Sequence, residues 1–226
     1  SNTLIFTGTG PSSGTWQDIT SQSTSTPWET GTGSIYNHGG TSYHNGIVVV
    51  GGNENKNSDQ IYPESKTWIW TKDDSKWNLV SNVVSPDFRD YHALASLEDG
   101  RAVMFGGRIN DKSDGSDTRV FDSDLGGLGR GGWSDPKDLQ GEPPARGFHA
   151  MSALRRNYVI MFGGQTSTQI PGKPDQSDQD TWLFDGGTNT WTQWVVGASG
   201  MKGAVPPARF CHAMASLGDA KSVVMF

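Results

Sequence analysis

The sequence predicts an all-β protein built from one four-stranded antiparallel unit, written several times over. Three observations predict it. Twelve residues are nearly duplicated, as "PPARGFHAMSAL" at 143–154 and "PPARFCHAMASL" at 206–217. An apolar run closed by two glycines recurs as "VVVGG" to Gly52, "VMFGG" to Gly107 and "IMFGG" to Gly164, and the chain stops at "VVMF", Phe226, where a fourth pair would fall due. No stretch shows helical periodicity, whereas short runs rich in β-branched and aromatic residues alternate with Gly, Asn and Asp. Four short strands per repeat at this spacing are the mark of a β-propeller.

Each element can be justified in order. Strand A is "FHAMSAL", strand B "YVIMF", strand C "TWLFD" and strand D "TWTQWVV". Small residues on strand A (Ala93 and Ala95, Ala150 and Ser152, Ala213 and Ala215) suit strands crowded near an axis, and the large residues of C and D suit the wider spaces outside. The A–B turns are expected at "NG" 45–46, "DG" 99–100 and "RRN" 155–157, because a positive φ costs little in Asn-Gly and Asp-Gly. The paired glycines relieve the backbone where it leaves a crowded inner strand. Full blades are expected at 34–80, 90–136 and 147–196. "NTLIFT" and "TWQDI" within 1–19 supply strands C and D of a first blade, and 210–226 supplies strands A and B of a last one. That makes about four blade-equivalents, expected to form part of a larger ring.

Bulk properties narrow the function classes. Thirty Gly and eleven Pro are many for 226 residues, but nine Trp and nine Phe argue against disorder. A net charge of −6 disfavours nucleic acid, which calls for a basic stripe. Cys211 stands alone, so no intrachain disulfide can form. No apolar run is long enough to insert in a membrane, and no Asn-x-Ser/Thr acceptor occurs. Abundant Gly, Ser, Thr and Asp with sparse Lys and Glu lean toward an extracellular protein, which the lone cysteine and missing acceptors do not support.

Four features recur in a fixed order. Arg89 to His92, Arg146 to His149 and Arg209 to His212 come before strand B, and the glycine pairs Gly51/Gly52, Gly106/Gly107 and Gly163/Gly164 follow it. Then come Phe121-Asp122 and Phe184-Asp185, and Trp77, Trp133 and Trp191. In this the chain resembles the kelch-repeat family from about residue 34 to 226, which implies a kelch-type β-propeller. The first unit, "PWETGTGSIYNHGG", departs from the pattern by lacking the Arg.

In such a propeller the B–C and D–A loops share one face. The B–C loops are long and polar, and the D–A loops carry the Pro-Pro-Ala-Arg stretches, so this is the expected working face. Its candidate binding residues are Arg89, Arg146, Arg209, Asp114, Asp117, Asp178 and Asp180. The arginines could grip carboxylates of a ligand, or each could tie its D–A loop to a carbonyl or an Asp of a B–C loop; recurrence in successive units favours the tie. The oxygen-rich stretches 110–117 and 174–180 read as solvated acidic loops rather than calcium sites.

The function expected from these features is a non-catalytic interaction scaffold with a protein partner, without cofactor or bound metal. An alternative rests on Tyr91 and His92, whose tandem resembles that of copper-radical oxidases of the galactose oxidase type and would imply copper; a separate Cys to modify a second Tyr is missing. A third class is a structural component that associates with copies of itself.

Overall fold

A computed structural model describes residues 4–10, 13–18, 35–57, 60–63, 65–73, 75–80, 86–109, 113–122, 131–166, 176–195 and 202–226. Regular structure among the described residues is all β. β1 (Leu4–Gly10) and β2 (Ser13–Asp18) form an antiparallel hairpin. β3 (Ile35–Tyr36), β4 (Gly39–Tyr43), β5 (Gly46–Val50), β6 (Asn53–Asn57), β7 (Gln60–Pro63), β8 (Thr67–Thr71) and β9 (Lys76–Leu79) follow. Of these, β4-β5-β8-β9 is the first four-stranded blade, and β3-β6-β7 is a small sheet beside it.

The second unit repeats the plan. β10 (Arg89–Asp90), β11 (Ala93–Ser96), β12 (Ala102–Phe105), β13 (Arg108–Ile109), β14 (Ser113–Asp114), β15 (Thr118–Asp122) and β16 (Gly132–Ser134) give a blade β11-β12-β15-β16 and a small sheet β10-β13-β14. The third is β17 (Ala150–Leu154), β18 (Tyr158–Phe162), β19 (Gln165–Thr166), β20 (Gln176–Ser177), β21 (Thr181–Asp185) and β22 (Thr190–Trp194), with blade β17-β18-β21-β22. β23 (Met214–Ser216) and β24 (Val223–Met225) pair as an A–B hairpin. The inner strands β4, β11, β17 and β23 lie side by side.

Strand alternation puts the core in the seams between blades. In the second blade Leu94, Ala102, Met104 and Phe121 face the first blade, where Tyr43, Val48 and Val50 meet them. Their chain neighbours Ala93, Ala95, Val103, Phe105 and Val120 face the third blade, where Met151, Val159, Met161, Phe184 and Trp191 meet them. A period of two therefore serves two interfaces from one sheet. The D-strand tryptophans also bond across the seams. The indole N–H of Trp133 donates to Thr67 Oγ1 at 2.8 Å, and that of Trp191 to Thr118 Oγ1 at 3.0 Å.

Two expectations are corrected in detail. The first A–B turn is His44–Asn45, one residue earlier than the Asn-Gly rule places it, since Tyr43 pairs with Gly46 and His44 takes the positive φ of 48°. Gly46 lies in the strand, opposite Thr71, where a Cβ would run into the Trp70 carbonyl. The B–C segments, expected as polar loops, start and finish as short ladders beyond the glycine pair. β13 pairs with β14 and also with β10, which carries Arg89. Composition concealed these rungs, since of their eight side chains all but Ile109 are polar and each strand is only two residues long.

Candidate interaction site

The D–A loop arrives at the inner strands β11, β17 and β23 through an Arg, and that Arg organises the seam. Arg89 is 1% exposed. Its Nη1 donates to Asp117 Oδ1 at 2.7 Å and to the Gly106 carbonyl at 2.9 Å, its Nη2 to Asp117 Oδ2 at 2.8 Å, and its Nε to the Asp87 carbonyl at 3.2 Å. Arg146, also 1% exposed, repeats this with Asp180 (2.6 and 2.9 Å), the Gly163 carbonyl (3.0 Å) and the Pro144 carbonyl (3.1 Å). The fork geometry of guanidinium on carboxylate makes these the strong kind of hydrogen bond. Each Arg thus closes its D–A loop onto strands B and C of its own blade.

The backbone of the same residue joins the previous blade. The amides of Gly52, Gly107 and Gly164 donate to the carbonyls of Arg89, Arg146 and Arg209 at 2.8, 2.9 and 2.9 Å. That contact needs glycine: Gly107 has φ +91°, and a Cβ there would lie 2.6 Å from His92 Cβ. The histidine completes the seam. His92 lies against the backbone of Val50, and His149 against that of Phe105, the last strand-B residues of the preceding blades. Neither ring places a nitrogen in full hydrogen-bonding geometry. Burial first, and then the neighbouring Arg, push both imidazoles down to about 3, so they are neutral in the folded protein.

Burial alone would raise the Asp117 and Asp180 carboxyls; the guanidiniums outweigh it and hold both below the ordinary carboxylate range. Asp117 is also bonded by Arg119, and Asp180 by the Trp182 indole. The other predicted acids sit at the edge of this network. Asp114 lies 3.8 Å from Arg108 Nε, and Asp178 accepts from Thr166 Oγ1 at 2.7 Å and lies 3.8 Å from Arg146. Arg209, partly exposed, donates from Nε to the Pro207 carbonyl at 3.2 Å. The sequence holds a signal for the pairing. Asp stands immediately before the strand-C Thr in the two units that have both an Arg and a strand C, at Asp117 and Asp180, while the first unit has Ile35 for Arg and Lys66 for Asp.

One position per repeat was missed as a group. The residue before each seam His has a left-handed backbone: Asn37 (φ 57°), Tyr91 (55°), Phe148 (60°) and Cys211 (56°). Such φ values are uncommon for bulky residues and are kept where the surroundings enforce them. Here a cross-blade ladder enforces them. Tyr91 N donates to the Asn37 carbonyl at 3.2 Å, Phe148 N to the Tyr91 carbonyl at 2.9 Å, and Cys211 N to the Phe148 carbonyl at 3.0 Å. The ladder lines up side chains from successive blades as a rim on the D–A face.

The frame of this rim is constant and its chemistry varies. Tyr91 and Phe148 are stacked at 3.8 Å, and Phe210 meets Phe148 edge-on at 6.3 Å with 47% of its surface exposed. The Arg108 guanidinium carbon lies 5.3 Å from the Phe148 ring centre and 6.0 Å from that of Tyr91. Burial and the Asp90 carboxylate raise the Tyr91 phenol, against Arg108 and the Asn37 side chain.

Tyr91 and His92, the pair that the oxidase resemblance would give to copper, go different ways: one stacks at the rim and the other is sealed in the seam. Cys211 is exposed beside His212. Among the described residues no three His, Cys, Asp or Glu side chains converge as a metal site.

Comparison with known proteins agrees with the repeat architecture. The family described as "KLHDC2/KLHL20/DRC7 Kelch-repeats domain" matches residues 4–226. A Xenopus laevis "Rab9 effector protein with kelch motifs" is 26% identical over 173 residues, covering 76% of this chain and 42% of that protein. The mouse "Kelch domain-containing protein 1" is 28% identical over 145 residues, covering 60% and 32%. A Dictyostelium discoideum "Rho GTPase-activating protein gacHH" is 28% identical over 168 residues, covering 71% and 10%. The chain thus spans less than half the length of these relatives. With its glycine pairs and seam histidines recurring blade by blade and the kelch-repeat model matching residues 4–226, the chain belongs to the kelch-repeat family.

Proposed function

We propose that the chain is a protein-interaction module that engages its partner through the face carrying the B–C and D–A loops. One observation carries the reading. A rigid, repeated backbone ladder presents Asn37, Tyr91, Phe148 and Cys211 in register, so the frame is constant while the displayed chemistry changes from blade to blade. Constant scaffold with variable display is how repeat proteins make specific surfaces. Phe148, Phe210 and Arg108 supply the aromatic and Arg character that dominates binding energy in protein interfaces. A relative described as a Rab9 effector is consistent with a protein partner. Binding of this kind calls for no cofactor.

The seam arginines and their aspartates serve this face by holding its loops in place. A loop-shortening experiment must therefore spare Gln165–Thr166 and Gln176–Asp180, and remove only 167–175. The test compares partner capture from the native source by the wild type, by a Phe210→Ala/Arg108→Ala variant and by a Glu98→Arg variant in the opposite A–B turn, with circular dichroism melts alongside. The rim variant loses the partner at an unchanged melting temperature. Retention by the rim variant with loss by Glu98→Arg would place the interface on the other face.

A further inference from the structure

We draw no further inference here: the strongest candidate, the pocket of about 240 Å³ that Ser42, His44, Ser96, Glu98 and Arg101 line between the A–B turns of the first two blades, carries nothing, because Glu98 is spent on the Arg156 amide at 2.7 Å, Arg101 on Asp99 and the Gly186 carbonyl at 2.6 Å each, and Ser42 on Ser96 at 3.0 Å, and nothing in the structure shows what would fill it.

Discussion

The twin stretches 143–154 and 206–217 are almost one sequence, yet they lead different physical lives. In the first, Arg146 is 1% exposed and tied to Asp180 and the Gly163 carbonyl, and His149 is sealed against Phe105. In the second, Arg209 and His212 are only partly buried, and the Arg side chain bonds the Pro207 carbonyl. Their shared backbone bonds are kept: Gly107 reaches Arg146 and Gly164 reaches Arg209 at the same 2.9 Å. The difference teaches what each part of the motif does. Its backbone half joins a blade to the one before; its side-chain half is completed by strands B and C of its own blade.

The largest expected effect breaks the joint itself. Gly106 has φ +61°, and a Cβ there would lie 2.5 Å from the Arg146 carbonyl, whereas nothing stands within 4 Å of a Cβ at Gly218. Gly106→Val therefore costs about 3 kcal/mol or more, from left-handed strain plus the clash. Gly218→Val stays within about 0.5 kcal/mol. Urea denaturation of both variants reads the contrast, and equal midpoints would show that the glycine pair is not a close-packed joint.

Acid sharpens the comparison at intermediate size. His92 and His149 have folded values of about 3 against 6.5 in the unfolded chain, so between these limits the unfolded state binds more protons. Stability is full above 6.5 and falls as the pH drops toward 3, by about 1–2 kcal/mol per imidazole between pH 7 and pH 5. Asp117 and Asp180, held low, add a loss of the same sign below their ordinary range. His149→Gln should flatten the melting-temperature profile between pH 7 and 5, and His212→Gln should flatten it less. Equal profiles for wild type and His149→Gln would mean that the ring is hydrated rather than sealed.

The smallest effect is expected at the exposed twin. Arg209→Ala should cost less than about 1 kcal/mol, since only a partly exposed hydrogen bond is lost. A loss as large as that of Arg146→Ala would show that the carboxylate partner is not what gives the motif its strength.

Much of this was legible in the sequence because it is periodic. Strands B and C of the third unit were read at their observed bounds, 158–162 and 181–185, since alternation and Gly or Asp punctuation are local signals. Recurrence favours a structural tie for Arg89 and Arg146 in the sequence alone; its partners Asp117 and Asp180, 28 and 34 residues away across loops of unequal length, needed the structure. The rim was not legible from chemistry at all. Asn37, Tyr91, Phe148 and Cys211 have no side-chain property in common, and what they share is a φ value set by the neighbouring blade.

The central claim is that the recurring Arg acts through its carboxylate within the blade. A double-mutant cycle on Arg146→Met and Asp180→Leu, followed by urea denaturation, tests it most directly. Each single change strands a partly buried charge and should cost about 3–5 kcal/mol. The double change should cost clearly less than the sum, with a coupling of about 2 kcal/mol or more. Additive losses would contradict the account, because they would mean that Arg146 and Asp180 stabilise the blade separately and that the motif is not a tie.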